Sequence, residues 1–310
     1  MKETTVGETT DAADLAGSHG QLTDGDLPTR VLVLGVARHD GTIRAADVFP
    51  VADACARSPE QVRSCLRRLV AEGLFVRAGV GQGAVYRATD AGLAALGTSA
   101  HRIRLSHVQD RPGQGWDGHW HLAAFAIPEA RRPARDALRD HLGKLGGAPV
   151  HNGLYVSPRT WHKEVTAEAD RLGVAGHVTL ATSRTLSIGG VDEPAALAVR
   201  LWPVDELAER YRRFLDRWGK VPEGLERMRR GQAALPDSAF LPGSLAMSVA
   251  YMTCFDADPL LPPELLPQPW PGSEARALIV RSRRLALDIR AAQDRPALFR
   301  AFDDLIDELP

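Results

Sequence analysis

One arginine-rich segment, residues 58–73, carries the residue types that recognise nucleic acid. Arginine presents a planar fork that bonds guanine edges or phosphate oxygens, and glutamine and serine bond base edges. Side chains near the start of a helix are expected to read bases, and those farther along or on a neighbouring hairpin to bind phosphates. The alternative is an ordinary solvated helix face. The predicted DNA-binding residues are Ser58, Gln61, Arg63, Ser64, Arg67, Arg68, Arg77, Gln82 and Arg87.

The sequence predicts that a capped helix presents these residues. Ser58 suits an N-cap, Pro59 the first turn and Gln61 the reciprocal position of a capping box. Gly73 is suited to end the helix. The helical spacing of the apolar residues predicts a buried face made of Val62, Cys65, Leu66, Leu69 and Val70.

The order of elements around this helix is that of a winged helix-turn-helix. Helices are predicted at 29–38 and 47–56, and strands at 74–78 and 84–89 flank a tip with three glycines. A short helix at 90–96 closes the unit. Residues 29–105 hold eleven arginines against six acids, a local charge of +5, although the whole chain carries -1. A local basic field of this kind favours DNA as the partner.

Residues 116–190 predict a second domain with the order β-α-β-β-α-β, a ferredoxin-like unit that commonly pairs with a copy of itself. Its first strand carries His119 and His121, which alternate onto one face, with Asp117 beside them. With His151 or His162 these would suit zinc or copper, and the alternative function is a metal-dependent nuclease or hydrolase. Single histidines on a sheet face more often serve packing and hydrogen bonding.

Residues 191–310 predict a helical C-terminal domain, with helices at 202–218 and 238–255. Six prolines between 258 and 271 forbid a long helix there. Residues 1–28 are acidic and poor in large apolar groups, which predicts a disordered tail. Residues 106–115 lack hydrophobic periodicity and predict a linker between the first two domains.

Two strings resemble signatures of the PaaX-like family of transcriptional repressors. Residues 258–272 read Asp-Pro-Leu-Leu-Pro-Pro-Glu-Leu-Leu-Pro-Gln-Pro-Trp-Pro-Gly, and residues 116–122 read Trp-Asp-Gly-His-Trp-His-Leu. The resemblance implies an α+β fold with a winged-helix domain, a Cas2-like ferredoxin domain and a helical C-terminal domain. It also implies dimers that repress phenylacetate operons and leave DNA when phenylacetyl-CoA binds.

The resemblance departs at the family's effector-associated helix. Family members often carry His-Glu-Tyr-Arg-Arg there, whereas here only Tyr251 matches and Met252 and Thr253 replace the arginines. If those arginines bind the phosphates of an acyl-CoA, their replacement indicates a different effector, because neither residue offers a bidentate fork. The predicted effector residues are Arg210, Arg213 and Tyr251, with a solvated helix face as the alternative for the arginines.

Composition sets the outer limits of function. The chain has 310 residues, 44% hydrophobic and 25% charged, which is typical of a globular protein of two or three domains. Three cysteines are too few for a disulfide framework and predict buried thiols in a reducing cytoplasm. No segment reads as a membrane span or a secretory signal.

The sequence therefore predicts a cytoplasmic homodimer that binds an inverted-repeat operator in double-stranded DNA. A small acyl-CoA or aromatic effector is expected to release it by changing the spacing of the recognition helices. No catalytic residue, metal or cofactor is assigned. A scaffold that does not bind DNA is the third possibility, beside the hydrolase.

Overall fold

The structure is a computed structural model that describes residues 29–109, 115–290, 298–300 and 302–303. The predicted tail at 1–28 and the middle of the predicted linker lie outside these residues. The chain divides into two compact units. Among the described residues, the first unit contains 29–104, 213–253 and those from 274 onward, and the second contains 105–109, 115–212 and 254–273.

The N-terminal part of the first unit combines helices with a small antiparallel sheet. The strand order is β1-β3-β2, with Ile43 opposite Tyr86 and Arg77 opposite the same tyrosine. The short first strand was not predicted from the sequence. In chain order the elements are α1 (Thr29–Gly35), β1 (Thr42–Arg44), α2 (Ala45–Ala54), α3 (Pro59–Ala71), β2 (Phe75–Ala78), β3 (Val85–Ala88) and α4 (Asp90–Val108).

Helix α3 begins with the predicted capping box. The Ser58 hydroxyl accepts the Gln61 backbone N–H at 3.2 Å, and Gln61 Oε1 accepts the Ser58 backbone N–H at 2.8 Å. Gly73, at φ +71°, follows the last turn, where glycine adopts the left-handed conformation without strain. The prediction for Val70 was wrong, since this residue is 36% exposed. The buried face consists of Val62, Cys65, Leu66 and Leu69.

The second unit contains a four-stranded antiparallel sheet of order β5-β6-β4-β7 with two helices packed on it. This order of strands confirms the predicted ferredoxin-like topology. Leu138, Leu142 and Val165 from the helices are fully buried. The elements are β4 (Trp120–Phe125), α5 (Arg132–Lys144), β5 (Ala148–His151), β6 (Leu154–Ser157), α6 (His162–Arg171), β7 (Val178–Ser183) and α7 (Pro194–Leu201).

The remaining part of the chain is helical, as predicted. The hydrophobic core of the first unit joins residues of α1 to α3 to Leu225, Phe240, Leu245 and Leu285 of the later helices. One of these helices, residues 237–255, is long and apolar enough to cross a membrane, but half of it is buried inside the protein, as in a core helix. The helices are α8 (Val204–Trp218), α9 (Val221–Arg230), α10 (Asp237–Phe255) and α11 (Pro271–Asp288).

The end of one helix differs from the prediction. Helix α4 was expected to end at residue 96 but continues to Val108, so residues 106–108 of the predicted linker are helical. Residues 191–212 lie in the second compact unit and residues 213–253 in the first. As predicted, the cysteines are buried and free, and burial raises the pKa of Cys55 to about 12.

Gly92 is expected to fix the position of α4 against the hairpin. A Cβ atom added there would lie 2.1 Å from the Leu74 carbonyl oxygen, and the Gly92 N–H donates to the Thr89 hydroxyl at 3.1 Å. We expect Gly92→Ala to lower the free energy of unfolding by about 1–2 kcal/mol, because the backbone at Leu74 or Gly92 must move to make room for the added methyl group. Gly97, in the same helix, has open space around it. Gly97→Ala should therefore raise that free energy by about 0.5–1 kcal/mol, and urea unfolding compares the two.

Candidate nucleic-acid interface

The exposed face of α3 carries three of the predicted arginines. Arg63, Arg67 and Arg68 are exposed, while Gln61 and Ser64 are half-buried. The helix is held from behind by α1 and α2, which pack against its buried face. A helix fixed in this way presents its outer side chains in one direction, as insertion into a major groove requires.

Glu60 lies on the same face and partly neutralises it. Its carboxylate accepts from Arg67 Nη2 at 2.9 Å and lies 3.5 Å from Arg63 Nη1, and the hydrogen bond from Arg67 lowers the pKa of Glu60. These side chains are between 57% and 68% exposed, and exposed ion pairs contribute little to stability. The arginines can therefore exchange Glu60 for another anion with little loss of free energy.

Ser58 and Gln61 have a structural role at the start of α3. Ser58 Oγ and Gln61 Oε1 are both engaged in the capping box. Those two atoms are thus committed to starting the helix. Among the predicted DNA-binding residues near the start of α3, Arg63 and Ser64 lie beyond the cap, and the Arg63 guanidinium lies 5.8 Å from the centre of the Phe49 ring.

The register of the hairpin places its two arginines on opposite faces. Arg77 pairs with Tyr86 and lies on its face, with the guanidinium 6.0 Å from the centre of the tyrosine ring. Arg87 follows Tyr86 in β3 and so points the other way. Arg44, which pairs with Val85, shares the face of Arg87. Sequence reasoning missed Arg44, because the strand that carries it is only three residues long.

The tip of the hairpin is an exposed turn at Gly81–Gly83 that carries Gln82. Gly79, at φ +78°, precedes the turn, and a Cβ atom there would lie 3.0 Å from the Gly83 carbonyl oxygen. Within the described residues no carboxylate pairs with Arg44, Arg68, Arg77 or Arg87. The exposed side of α3 and the adjoining sheet therefore hold cationic groups suited to phosphate oxygens.

The histidine region of the second unit has the character of a structural cluster. His121 is 5% exposed, and its two ring nitrogens lie 3.4 Å from the hydroxyls of Thr160 and Thr182. Asp117 Oδ1 accepts the His119 backbone N–H at 2.9 Å in a local turn, and Asp117 Oδ2 lies 3.7 Å from His121 Nε2. In the part of the chain that the structure describes, no three histidine, cysteine or acidic side chains converge to hold a metal ion.

Burial of His121 makes a pH-dependence of stability testable. Burial lowers the pKa of this imidazole against the opposing effect of Asp117. The unfolded chain takes up the proton at about pH 6.5, where the folded chain does not, so stability falls as the pH drops through that value toward the folded pKa. We expect the free energy of unfolding of His121→Gln to fall less than that of the wild type when the pH is lowered from 7.5 to 5. His151→Gln, on an exposed side chain, is the control, and urea unfolding at each pH is the measurement.

The predicted effector residues occupy different environments. Arg210 and Arg213 are exposed on α8. Tyr251 is 5% exposed and packs edge-on against Phe214, with ring centres 5.7 Å apart. Tyr251 is therefore a core residue, and it does not offer a solvent-facing surface alongside the arginines.

These observations define a mixed α+β protein with a central ferredoxin-like domain and a helical C-terminal region. The family model for the PaaX protein central Cas2-like domain matches residues 113–197, and the model for the PaaX-like protein C-terminal domain matches residues 202–293. The chain belongs to the PaaX family, which confirms the predicted resemblance. Family membership points to a regulator rather than to an enzyme.

The chain is similar to a solved structure over most of that structure's length. That structure is the uncharacterized protein Rv0674 from Mycobacterium tuberculosis, with 23% sequence identity and a TM-score of 0.50. The match covers 83% of this chain and 93% of that one. At this identity the likeness concerns the fold alone. No curated protein matches the chain.

Proposed function

We propose that this protein is a cytoplasmic, homodimeric DNA-binding transcriptional repressor. In this proposal residues 29–105 are a winged helix-turn-helix domain in which α3 enters the major groove and the β2–β3 hairpin is the wing. The observation that carries the proposal is the rigidly capped helix α3, whose outer face holds Arg63, Arg67 and Arg68, in a chain of the PaaX family.

The electrostatics support separate roles for the two groups of arginines. Those on α3 extend from a helix of a width that fits a major groove, and Arg63 and Ser64 lie near its start, where side chains meet base edges. Arg44 and Arg87 share one face of the sheet and are proposed to hold the phosphate backbone. Gln82, at the exposed tip, is proposed to contact the DNA backbone or the minor groove.

The second unit and the C-terminal helices are proposed to pair subunits and to bind a small effector. A dimer with two-fold symmetry would read an inverted repeat whose half-sites lie about one helical turn apart. The effector class proposed from the family is a small acyl-CoA or aromatic molecule. Its binding would lower the affinity for DNA through a coupling between the two sites.

Selection from random duplexes tests the proposal. The full-length protein is incubated with a pool of random double-stranded DNA, and bound sequences are recovered and titrated by fluorescence anisotropy at several salt concentrations. We expect an inverted repeat to be enriched and the logarithm of the affinity to fall linearly with the logarithm of the salt concentration. Failure to enrich any sequence, together with binding that does not respond to salt, would contradict the proposal.

Removing the carboxylate that faces the arginines is expected to strengthen binding to all DNA. Glu60→Gln deletes a negative charge from the outer face of α3 and frees Arg63 and Arg67 from their partner. The affinity for random duplex should rise by several-fold, and the salt dependence should steepen by about one unit. Glu129→Gln makes the same change of net charge in the second unit and should have little effect. Anisotropy with random DNA compares the two variants, and equal gains would contradict the placement of Glu60.

A further inference from the structure

An apolar cavity of about 80 Å³ lies within the first compact unit. It is bordered mainly by aromatic and aliphatic side chains from α8 to α11 and from the segment after residue 297. Sequence reasoning gave no sign of it, because its walls come from four separate stretches of chain. The residues that matter for its chemistry are Trp218, Phe240, Ser244, Ser282, Phe299 and Phe302.

Ser282 is a polar residue in the mainly apolar lining of this cavity. The residue is 3% exposed, and its hydroxyl has no hydrogen-bond partner among the described residues. A buried hydroxyl without a partner costs free energy, and native proteins rarely retain one without a reason. The residue lines the cavity. A bound molecule with one hydrogen-bonding group would satisfy it.

Phe299 limits the size of what fits. An apolar cavity of ~150 Å³ accommodates a benzene ring, about twice the volume found here. Phe299 and Phe302 both line this small cavity. A ring-sized molecule therefore enters only if one of these side chains moves away. Phe299 has φ +62°, a strained backbone conformation for a bulky residue, so its present position is one that neighbouring contacts must enforce.

Those contacts come from two directions. The Arg283 guanidinium holds the Asp303 carboxylate at 2.7 and 2.9 Å and donates to the Leu298 carbonyl at 2.6 Å. The Phe299 backbone N–H donates to the Gly35 carbonyl at 2.5 Å. The Phe299 ring lies so close to α1 that a Cβ atom on Gly35 would approach its Cε1 to 2.7 Å.

Phe299 thus touches both the cavity and the helix that supports α3. It lines the cavity on one side and contacts the last residue of α1 on the other. Helix α1 packs directly against α3, the proposed recognition helix. The movement that admits a ligand would therefore remove a contact that positions the DNA-binding elements.

We propose that this cavity binds a small, mainly apolar molecule that carries one hydrogen-bonding group, and that binding displaces Phe299 from α1 and weakens DNA binding. The inference rests on the proposed DNA-binding function and assigns it a regulatory site. It places that site in the helical core of the first unit rather than at Arg210, Arg213 and Tyr251.

The ligand part of the proposal is tested without DNA. Phenol and benzene are used as matched probes, and their binding to the full-length wild type and to Ser282→Ala is measured by calorimetric titration. Phenol should bind saturably to the wild type and about 3- to 10-fold more weakly to Ser282→Ala, the value of one hydrogen bond. Benzene, which cannot bond Ser282, should bind both proteins equally. Absence of saturable phenol binding, or equal phenol affinity in the two proteins, would overturn the assignment.

The coupling is tested with the selected operator. Phenol should weaken operator binding by the wild type, and by reciprocity the operator should weaken phenol binding by the same factor. In Phe299→Ala, phenol should bind more tightly and no longer affect the operator. Phe299→Leu provides a second variant if the alanine protein does not fold by circular dichroism. An operator affinity that phenol leaves unchanged in the wild type would refute the coupling. If the wild type binds no DNA, the proposed function fails, while the phenol titrations still decide on the cavity.

Discussion

Arg63→Ala is expected to bind its selected operator about 10- to 100-fold more weakly than the wild type while losing far less affinity for random duplex. The reason is that a bidentate contact from an arginine to a guanine contributes about 1–3 kcal/mol of discrimination against other bases. Arg63 has the position for such a contact, on the outer face of α3 two residues after Gln61 of the capping box, and its pairing with Glu60 is long, at 3.5 Å.

Two further variants separate readout from charge. Arg87→Ala removes an arginine from the outer face of the sheet and should weaken operator and random DNA by similar factors, because phosphate contacts carry no sequence information. Arg63→Lys keeps the positive charge but not the planar fork, so it should keep the salt dependence of the wild type and lose discrimination. Fluorescence anisotropy with both duplexes measures each ratio. Equal losses on the two duplexes in Arg63→Ala would show that this residue contacts phosphate only.

The sequence predicted elements whose signals are local. The capping box at Ser58 and Gln61 depends on four consecutive residues, and its hydrogen bonds are present. The hairpin of β2 and β3 follows from two short apolar runs around three glycines. The ferredoxin-like order of the second unit follows from alternating periods of two and 3.6 residues, which need no knowledge of distant contacts. These features are confirmed because nearby residues alone determine them.

The features that escaped prediction depend on contacts between distant segments. Strand β1 has three residues and is defined only by its pairing with β3. Helix α4 continues beyond residue 96 although its apolar residues do not form a clear stripe. The opposite directions of Arg77 and Arg87 follow from the strand register, which composition does not reveal. The cavity depends on Phe299, whose partner Gly35 is 264 positions earlier in the chain.

The proline-rich signature of the second unit illustrates how a motif can be visible in sequence while its purpose is not. Asp258, which opens it, is 4% exposed. Its carboxylate accepts the Tyr211 hydroxyl at 2.7 Å through Oδ2 and the Leu260 backbone N–H at 2.7 Å through Oδ1. Leu260 adopts φ +57°, and its carbonyl accepts two hydrogen bonds from Arg159, at 2.9 and 2.7 Å. The signature is therefore a structural clasp within the second unit.

Asp258→Ala is expected to lower the free energy of unfolding by about 3–4 kcal/mol, the largest effect on stability predicted here. The change removes two hydrogen bonds to a buried carboxylate, each of about 1.5–3 kcal/mol, and leaves the Leu260 N–H and the Tyr211 hydroxyl without this acceptor. Tyr211→Phe removes one of the bonds without burying a new polar group and should cost about 1–2 kcal/mol. Asp140→Ala, on an exposed carboxylate of α5, is the control and should stay within about 0.5 kcal/mol of the wild type.

The double variant distinguishes a specific bond from general disruption. If the Tyr211–Asp258 hydrogen bond carries the effect, the losses in urea unfolding should be less than additive, with a coupling energy of about 1–2 kcal/mol. Strictly additive losses would mean that the two side chains stabilise the unit independently. In that case the contribution of Asp258 to stability would come from its hydrogen bond to the backbone of Leu260, which Arg159 also binds. Because Asp258 lies in the second unit and Arg63 in the first, Asp258→Ala should leave the ratio of operator to random-DNA affinity unchanged wherever the protein is folded.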